Sequence, residues 1–183
     1  FGTMRFPGDS IVFGVILLGL IFPYEATVIP LYYDFQSFGL TNTYWALILP
    51  QIGLSIPFGT FWMRAFFRST PRSLIEAARV DGAGSFQILT RVLLPLATPA
   101  LLTLSALIFM YTWNEFLLAL VMIHDQDKET APLGLSFFAT ATRAGDPTAV
   151  AAAAVIVALP VIVVYVILQR HFIRGITAGA VKE

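Results

Sequence analysis

Two carboxylates and one carboxamide, Glu25, Glu115 and Gln51, interrupt long apolar stretches of a 183-residue chain, and Trp113 and Asn114 stand directly before Glu115. A charged side chain at the centre of a bilayer costs about 2.5 to 3.5 kcal/mol on the insertion scale, so such residues turn inward or toward an interface. One chemistry open to this set is the wall of a solute path: an indole face stacks on a ring while an amide and a carboxylate bond hydroxyls. The plainer one is structural. Glu25 then bonds backbone freed by Pro23 or Pro30, and Trp113, Asn114 and Glu115 supply interhelical hydrogen bonds and an aromatic anchor. Reactive chemistry lacks carriers. His124 and His171 are isolated, whereas a metal site needs several correctly spaced ligands, and there is no cysteine for thiolate, zinc or disulfide chemistry. No His-Glu-x-x-His, no Gly-x-Ser-x-Gly and no glycine-rich phosphate loop ending in Gly-Lys-Ser/Thr occurs. The chain is therefore expected to be no enzyme, with no cofactor of its own.

The elements that hold these residues are expected to be membrane helices. Hydrophobic residues make up 57% of the chain and charged ones 12%, about half the charged share of an ordinary soluble domain. A formal net charge of zero gives no support to a nucleic-acid partner. Crossing a hydrocarbon core of about 30 Å takes about 20 mainly apolar residues, and four stretches suffice: 11–33, 44–67, 97–123 and 148–168. Each contains proline, which a membrane bundle tolerates where neighbouring groups satisfy the freed carbonyls. The fold class is therefore an all-α polytopic helix bundle. Basic residues orient it, because Lys and Arg stay on the cytoplasmic side. Arg64, Arg68, Arg72, Arg79 and Arg91 gather around 68–96, Arg5 precedes the first span, and Arg170, Arg174 and Lys182 follow the fourth. The outer segments, 34–43 and 124–147, carry just Lys128 and Arg143 as basic residues. The tail, 169–183, is thus expected in the cytoplasm. The chain opens on Phe1 without the pattern of a signal peptide, and is expected to be part of a longer protein.

The 68–96 segment is too polar to span but has the marks of two short helices. Thr70 before Pro71 predicts an N-cap with proline at the first helical position, and Gly82 after Asp81 predicts a left-handed stop. Ser85 predicts the cap of a second helix over 86–94, closed by Pro95. Within it lie Glu76-Ala77-Ala78, three residues, Gly82, nine residues, Val92, one residue, and Leu94-Pro95. This string resembles the EAA loop of binding-protein-dependent ABC importer permeases, which usually have isoleucine where Val92 stands. Asp81-Gly82-Ala83, Gly39-Leu40-Thr41-Asn42-Thr43, Trp113-Asn114 and the tail from Gly175 to Lys182 extend the likeness to the carbohydrate-uptake type, similar to the second permease of maltose-type importers. Without the matched spacing, the segment would read as a capped amphipathic hairpin resting on the membrane surface.

The resemblance implies a type I importer permease in a prokaryotic cytoplasmic membrane, multi-pass, with about two further spans before Phe1. It implies three protein partners: an ABC ATPase dimer that carries ATP and magnesium, a second permease, and an extracellular or periplasmic solute-binding protein. Membrane lipid surrounds the whole. ATPase coupling would fall to Glu76, Ala77, Ala78, Asp81, Gly82 and Pro95. The translocation path would involve Trp113, Asn114, Glu115 and Gln51, and the tail contact Gly175, Thr177, Gly179 and Lys182. The loop 124–147, longer than two helices need, is expected to meet the binding protein or else to plug the bundle. The solute is expected to be a sugar, with a polyol or glycerol phosphate as the alternative. A secondary transporter would show internal repeats and broken helices meeting at the midplane, and no convincing repeat is visible.

Overall fold

A computed structural model of the chain describes residues 1–142 and 146–180, with 142 and 170–180 by backbone alone. Among the described residues the regular structure is entirely helical. Helices α1 (Asp9–Ile21) and α2 (Tyr24–Ser37) precede α3 (Trp45–Ser69), α4 (Arg72–Val80) and α5 (Ser85–Ile88). A π-helical turn, Leu89–Leu93, joins α5 to α6 (Leu94–Trp113); α7 (Leu117–Met122), α8 (Ala131–Thr142) and α9 (Pro147–Ala180) follow.

Three continuous helical stretches are long and apolar enough to cross a membrane: Trp45–Ser69, Ser85–Trp113 and Pro147–Gln169. At 1.5 Å per residue the 25 residues of α3 reach about 37 Å. The fourth expected span, 11–33, is not straight. It is α1 and α2 meeting at 94°, with Phe22 and Pro23 both extended at the break. The cause is local: proline pushes the residue before it out of the helical region, so α1 ends at Ile21 and α2 restarts after the ring. The expected span 97–123 is likewise interrupted, since α6 ends at Trp113 and α7 begins at Leu117.

Pro95 does not close the second loop helix, contrary to the sequence expectation. The helix runs through it, and the turn before it widens to π geometry, Leu94 N–H bonding Leu89 O. Proline lacks the N–H that would reach Arg91 O, and its ring crowds that carbonyl; the wider turn relieves both. The N-caps also differ. Thr70 bonds back to Phe66 O of α3 at 3.3 Å, which leaves α4 without a side-chain cap. Ser85 is inside its helix, and the Gln87 carboxamide instead accepts from Gly84 N–H at 3.0 Å.

Small residues let the helices approach closely, as membrane packing requires. Ala97, Ala100 and Ala106 are buried on α6, which packs on α3 and α9. Trp62 of α3 donates to Ala100 O at 3.1 Å, and Trp113 to Val157 O of α9 at 3.0 Å. At the other end Ala46, Leu118, Met122 and Ile123 form a buried cluster with Tyr32 and Phe35 against it. Large apolar side chains such as Ile11, Ile21, Val155 and Ile156 cover the outside, the inverse of a water-soluble surface.

Candidate functional site

The loop between α3 and α6 is built around Gly82. Its φ of +80° is the left-handed value expected from the sequence. Gly82 N–H bonds Arg79 O at 3.0 Å and Ala83 N–H bonds Ala78 O at 2.9 Å. These are the paired bonds of a Schellman stop, which satisfy the last carbonyls of α4 and turn the chain toward α5. Glu76, Ala77, Asp81 and Gly82 are exposed, while Ala78 is half-buried. The turn presents two large apolar side chains to solvent, Val80 at 88% exposure and Phe86 at 75%. Pro95 is also exposed, in the first turn of α6.

A cavity of about 550 Å³ lies between this loop and the N-terminal segment, lined by Arg5, Arg68, Arg72 and Arg79 with Asp9 and Glu76. The basic residues grouped by sequence thus meet at one end of the bundle. Arg64, just over one turn before the end of α3, places its guanidinium 3.7 Å from the centre of the Phe13 ring.

Glu115 is the hub of a second polar site. Its Oε1 accepts from the Tyr24 hydroxyl at 2.7 Å and from Leu118 N–H at 2.8 Å, and its Oε2 accepts from Gln51 Nε2 at 3.0 Å. One carboxylate therefore joins α2, α3 and the break between α6 and α7. Sequence reasoning paired Gln51 and Glu115 in one set but missed Tyr24, whose hydroxyl in an apolar stretch was the available signal. Glu25 is exposed, and among the described residues no backbone N–H near Pro23 or Pro30 donates to its carboxylate, contrary to the plainer expectation for it. Trp113 stacks on Phe109 with ring centres 5.7 Å apart, and Asn114 bonds Met110 O of its own helix at 2.7 Å. Below Gln51 an open groove of about 560 Å³ runs between α3 and α6, walled by Ile48, Ile52, Ile56 and Ile108, with Ser55, Thr60 and Thr112 along it.

The outer segments are tied together by Asn42. At φ +58° it donates its N–H to Met122 O at 2.8 Å, and its Oδ1 accepts from His124 and Asp125 N–H at 3.1 and 3.0 Å. Lys128 pairs with Asp125 at 2.9 Å, and this bond, aided by Asp127 N–H, holds the Asp125 carboxyl below its ordinary range. The expected outer loop contains α8, which packs on α9 with Leu133 buried, and Thr130 ties its start to Glu115 O at 3.0 Å. In the tail, Gly175, Thr177 and Gly179 continue α9 as helix, and Lys182 lies outside the described residues, as do Arg143 and Gly145 of the outer loop. Among the described residues no group of three or more His, Asp or Glu is placed to hold a metal.

The all-α bundle, its apolar exterior and its polar loop at one end define a polytopic membrane protein. Residues 2–178 match the family described as binding-protein-dependent transport system inner membrane component, and the chain belongs to that family, which is one of transport permeases rather than of enzymes. It is 40% identical over 97% of its length to a probable ABC transporter permease protein, YurM, of Bacillus subtilis (strain 168), covering 59% of that relative. It is 38% identical over 98% of its length to the trehalose transport system permease protein SugB of Mycobacterium tuberculosis, covering 66% of it. The diacetylchitobiose uptake system permease protein NgcG of Streptomyces coelicolor is 36% identical, with 97% of the chain and 59% of that relative covered. The chain thus spans about three fifths to two thirds of the length of these relatives. Among solved structures, a bacterial ABC transporter involved in the import of the acidic polysaccharide alginate aligns with a TM-score of 0.72 at 29% identity, over 93% of this chain and 64% of that one. The carbohydrate-uptake resemblance of the sequence motifs agrees with these relatives.

Proposed function

We propose that this chain is part of the permease subunit of an ATP-driven, binding-protein-dependent sugar importer, and that the loop 71–94 is where a separate ATPase subunit grips it. The observation that carries this reading is the pair Val80 and Phe86, both solvent-facing on either side of the Gly82 stop. Two large apolar side chains at the tip of a polar loop have no use in water; a partner's cleft would cover them. Glu76 and Ala77 lie beside them, one charged and one small enough for close backbone approach, and Ala78 and Asp81 fix the turn. In this reading the arginine-rich end is cytoplasmic, the ATPase holds ATP and magnesium, and a second permease completes the passage. Gln51 borders the groove between α3 and α6 as a contact for the solute, with Trp113, Asn114 and Glu115 supporting it from behind. The segment around α8 is the surface offered to the solute-binding protein, and the helical continuation through Gly175, Thr177 and Gly179, with Lys182, reaches toward the ATPase.

The test is the assembled transporter in proteoliposomes. Gly82→Trp forces a side chain into a left-handed backbone and covers the tip of the loop. ATPase binding and its stimulation by the loaded binding protein are expected to fall at least about tenfold, since a core interface anchor contributes on the order of 2 kcal/mol. Unchanged binding and stimulation would overturn the reading.

A further inference from the structure

The cavity between the N-terminal segment and α4 has a composition that coupling to an ATPase does not require. Arg5, Arg68, Arg72 and Arg79 all line it, against two carboxylates, Asp9 and Glu76. None of the four guanidiniums lies within ion-pair distance of either carboxylate; among the described residues the ion pair formed is Lys128–Asp125, at the other end. Four unpaired guanidiniums around 550 Å³ repel one another, and an anion relieves that repulsion.

An independent feature points the same way. The N-terminus of α4 opens beside this cavity, with Thr70 and Arg72 in its lining, and has no side-chain cap. Thr70, the residue placed to cap it, donates its hydroxyl to Phe66 O instead. Leu74 N–H bonds Pro71 O at 3.3 Å, and the nine-residue helix leaves the N–H groups of Arg72 and Ser73 and the positive end of its dipole without a protein partner. A helix N-terminus with forked guanidiniums around it is the arrangement that binds phosphate oxygens.

The position supplies the source. The cavity lies where α1 begins, at Asp9, and α3 ends, at Ser69, so it sits at the level where two apolar helices leave the membrane. Met4 and Phe6, both exposed large apolar residues, flank it on the N-terminal segment. We propose that this cavity is a binding site for a phosphate-type anion, with an anionic phospholipid headgroup as its ligand at the membrane boundary and a soluble phosphate as the other source of the same chemistry.

Native mass spectrometry of the full-length subunit, with phosphatidylglycerol, phosphatidylcholine or inorganic phosphate added separately, tests this without ATP, solute or partner subunits, so its result does not depend on the import reading. Phosphatidylglycerol is expected to bind at least about tenfold more tightly than phosphatidylcholine, and each arginine removed to weaken it about fivefold. The variant pair Arg5→Gln and Arg68→Gln is then expected to lose about 25-fold. Arg5→Lys keeps the charge and loses the fork, so it should show a smaller loss in a subunit that still folds. Arg91→Gln, a loop arginine outside the cavity, is the control and should leave binding unchanged. Inorganic phosphate that binds with the same dependence on Arg5 and Arg68, with no preference among lipids, would assign the site to a soluble phosphate. Equal binding of both lipids and no binding of phosphate would overturn the proposal, as would a preference that Arg91→Gln reduces as much as Arg68→Gln does.

Discussion

Gly19 of α1 faces the ring of Pro57 on α3 so closely that a β-carbon added at 19 would lie 2.7 Å from Pro57 Cγ. The proline ring cannot swing aside, and Pro57 is itself buried. The contact fixes how α1 leans on α3, and with it the entry to the 94° bend that delivers Tyr24 to Glu115. Gly19→Ala is expected to destabilise the fold by about 1 to 3 kcal/mol through overpacking. Gly14 on the same helix has nothing within 4 Å of an added β-carbon, so Gly14→Ala should be neutral or stabilise by about 0.5 to 1 kcal/mol. Thermal unfolding of the two variants in detergent checks the difference, and equal melting temperatures would contradict it.

Asn42 does two jobs that substitution separates. It occupies a left-handed backbone, and its carboxamide oxygen holds two amides of the 123–125 segment. Asn42→Gly keeps the backbone and loses the side chain, whereas Asn42→Ala loses both. The first is expected to cost about 1 kcal/mol and the second about 1 kcal/mol more. Hydrogen exchange at His124 and Asp125 should accelerate in both variants and most in Asn42→Ala.

Much of this arrangement was legible because it is local. Gly82 announced its left-handed turn through the Asp81-Gly82-Ala83 string, and the apolar lengths announced helices that cross a membrane. The failures came where one local rule met another. Proline at 95 usually stops a helix, but apolar residues continue for some twenty positions beyond it, and widening one turn costs less than exposing a helix end in lipid. Thr70 follows a helix as well as preceding one, and its hydroxyl served the helix behind it. The Tyr24–Glu115 bond spans 91 residues, and no periodicity in the sequence connects its ends.

The Asp125–Lys128 pair gives the outer segment a dependence on pH. Lys128 first, and then Asp127 N–H, hold the Asp125 carboxyl below its ordinary range in the folded protein. A depressed folded value means that the contribution is fully present above the ordinary Asp range and is lost as pH falls through the lowered folded value. Lys128→Met is expected to move the Asp125 titration back up toward the ordinary range, and salt should do so in part because both groups are accessible to solvent. Carbon-13 shifts of the Asp125 carboxyl across an acid titration check this; an unmoved midpoint in Lys128→Met would show that the lysine is not the cause.

Pro95 sets the rotational register between the loop and the α6 span. The π turn at Leu89–Leu93 carries one residue more than an α turn, so everything before it is rotated by about 100° relative to a continuous α-helix. The turn is widened because Pro95 has no N–H for Arg91 O and crowds that carbonyl. Pro95→Ala removes both causes, and the segment is expected to relax to regular α geometry with no loss of helix stability, since alanine is the better helix former. Phe86 would then point about 100° away from its present direction relative to exposed residues of α6 such as Leu96, and the tip that carries Val80 would turn with it. The chain has no cysteine, so spin labels at Phe86→Cys and Leu96→Cys, one on each side of the π turn and both exposed, report on these sites alone. Their distance is expected to change by several ångströms in Pro95→Ala, about the displacement that a 100° turn gives a side chain on a helix of 10 to 12 Å diameter. In proteoliposomes the same variant should retain ATPase binding less well than wild type while melting at an equal or higher temperature. An unchanged spin-label distance would mean that the π turn is held by packing around Leu93 rather than by the proline.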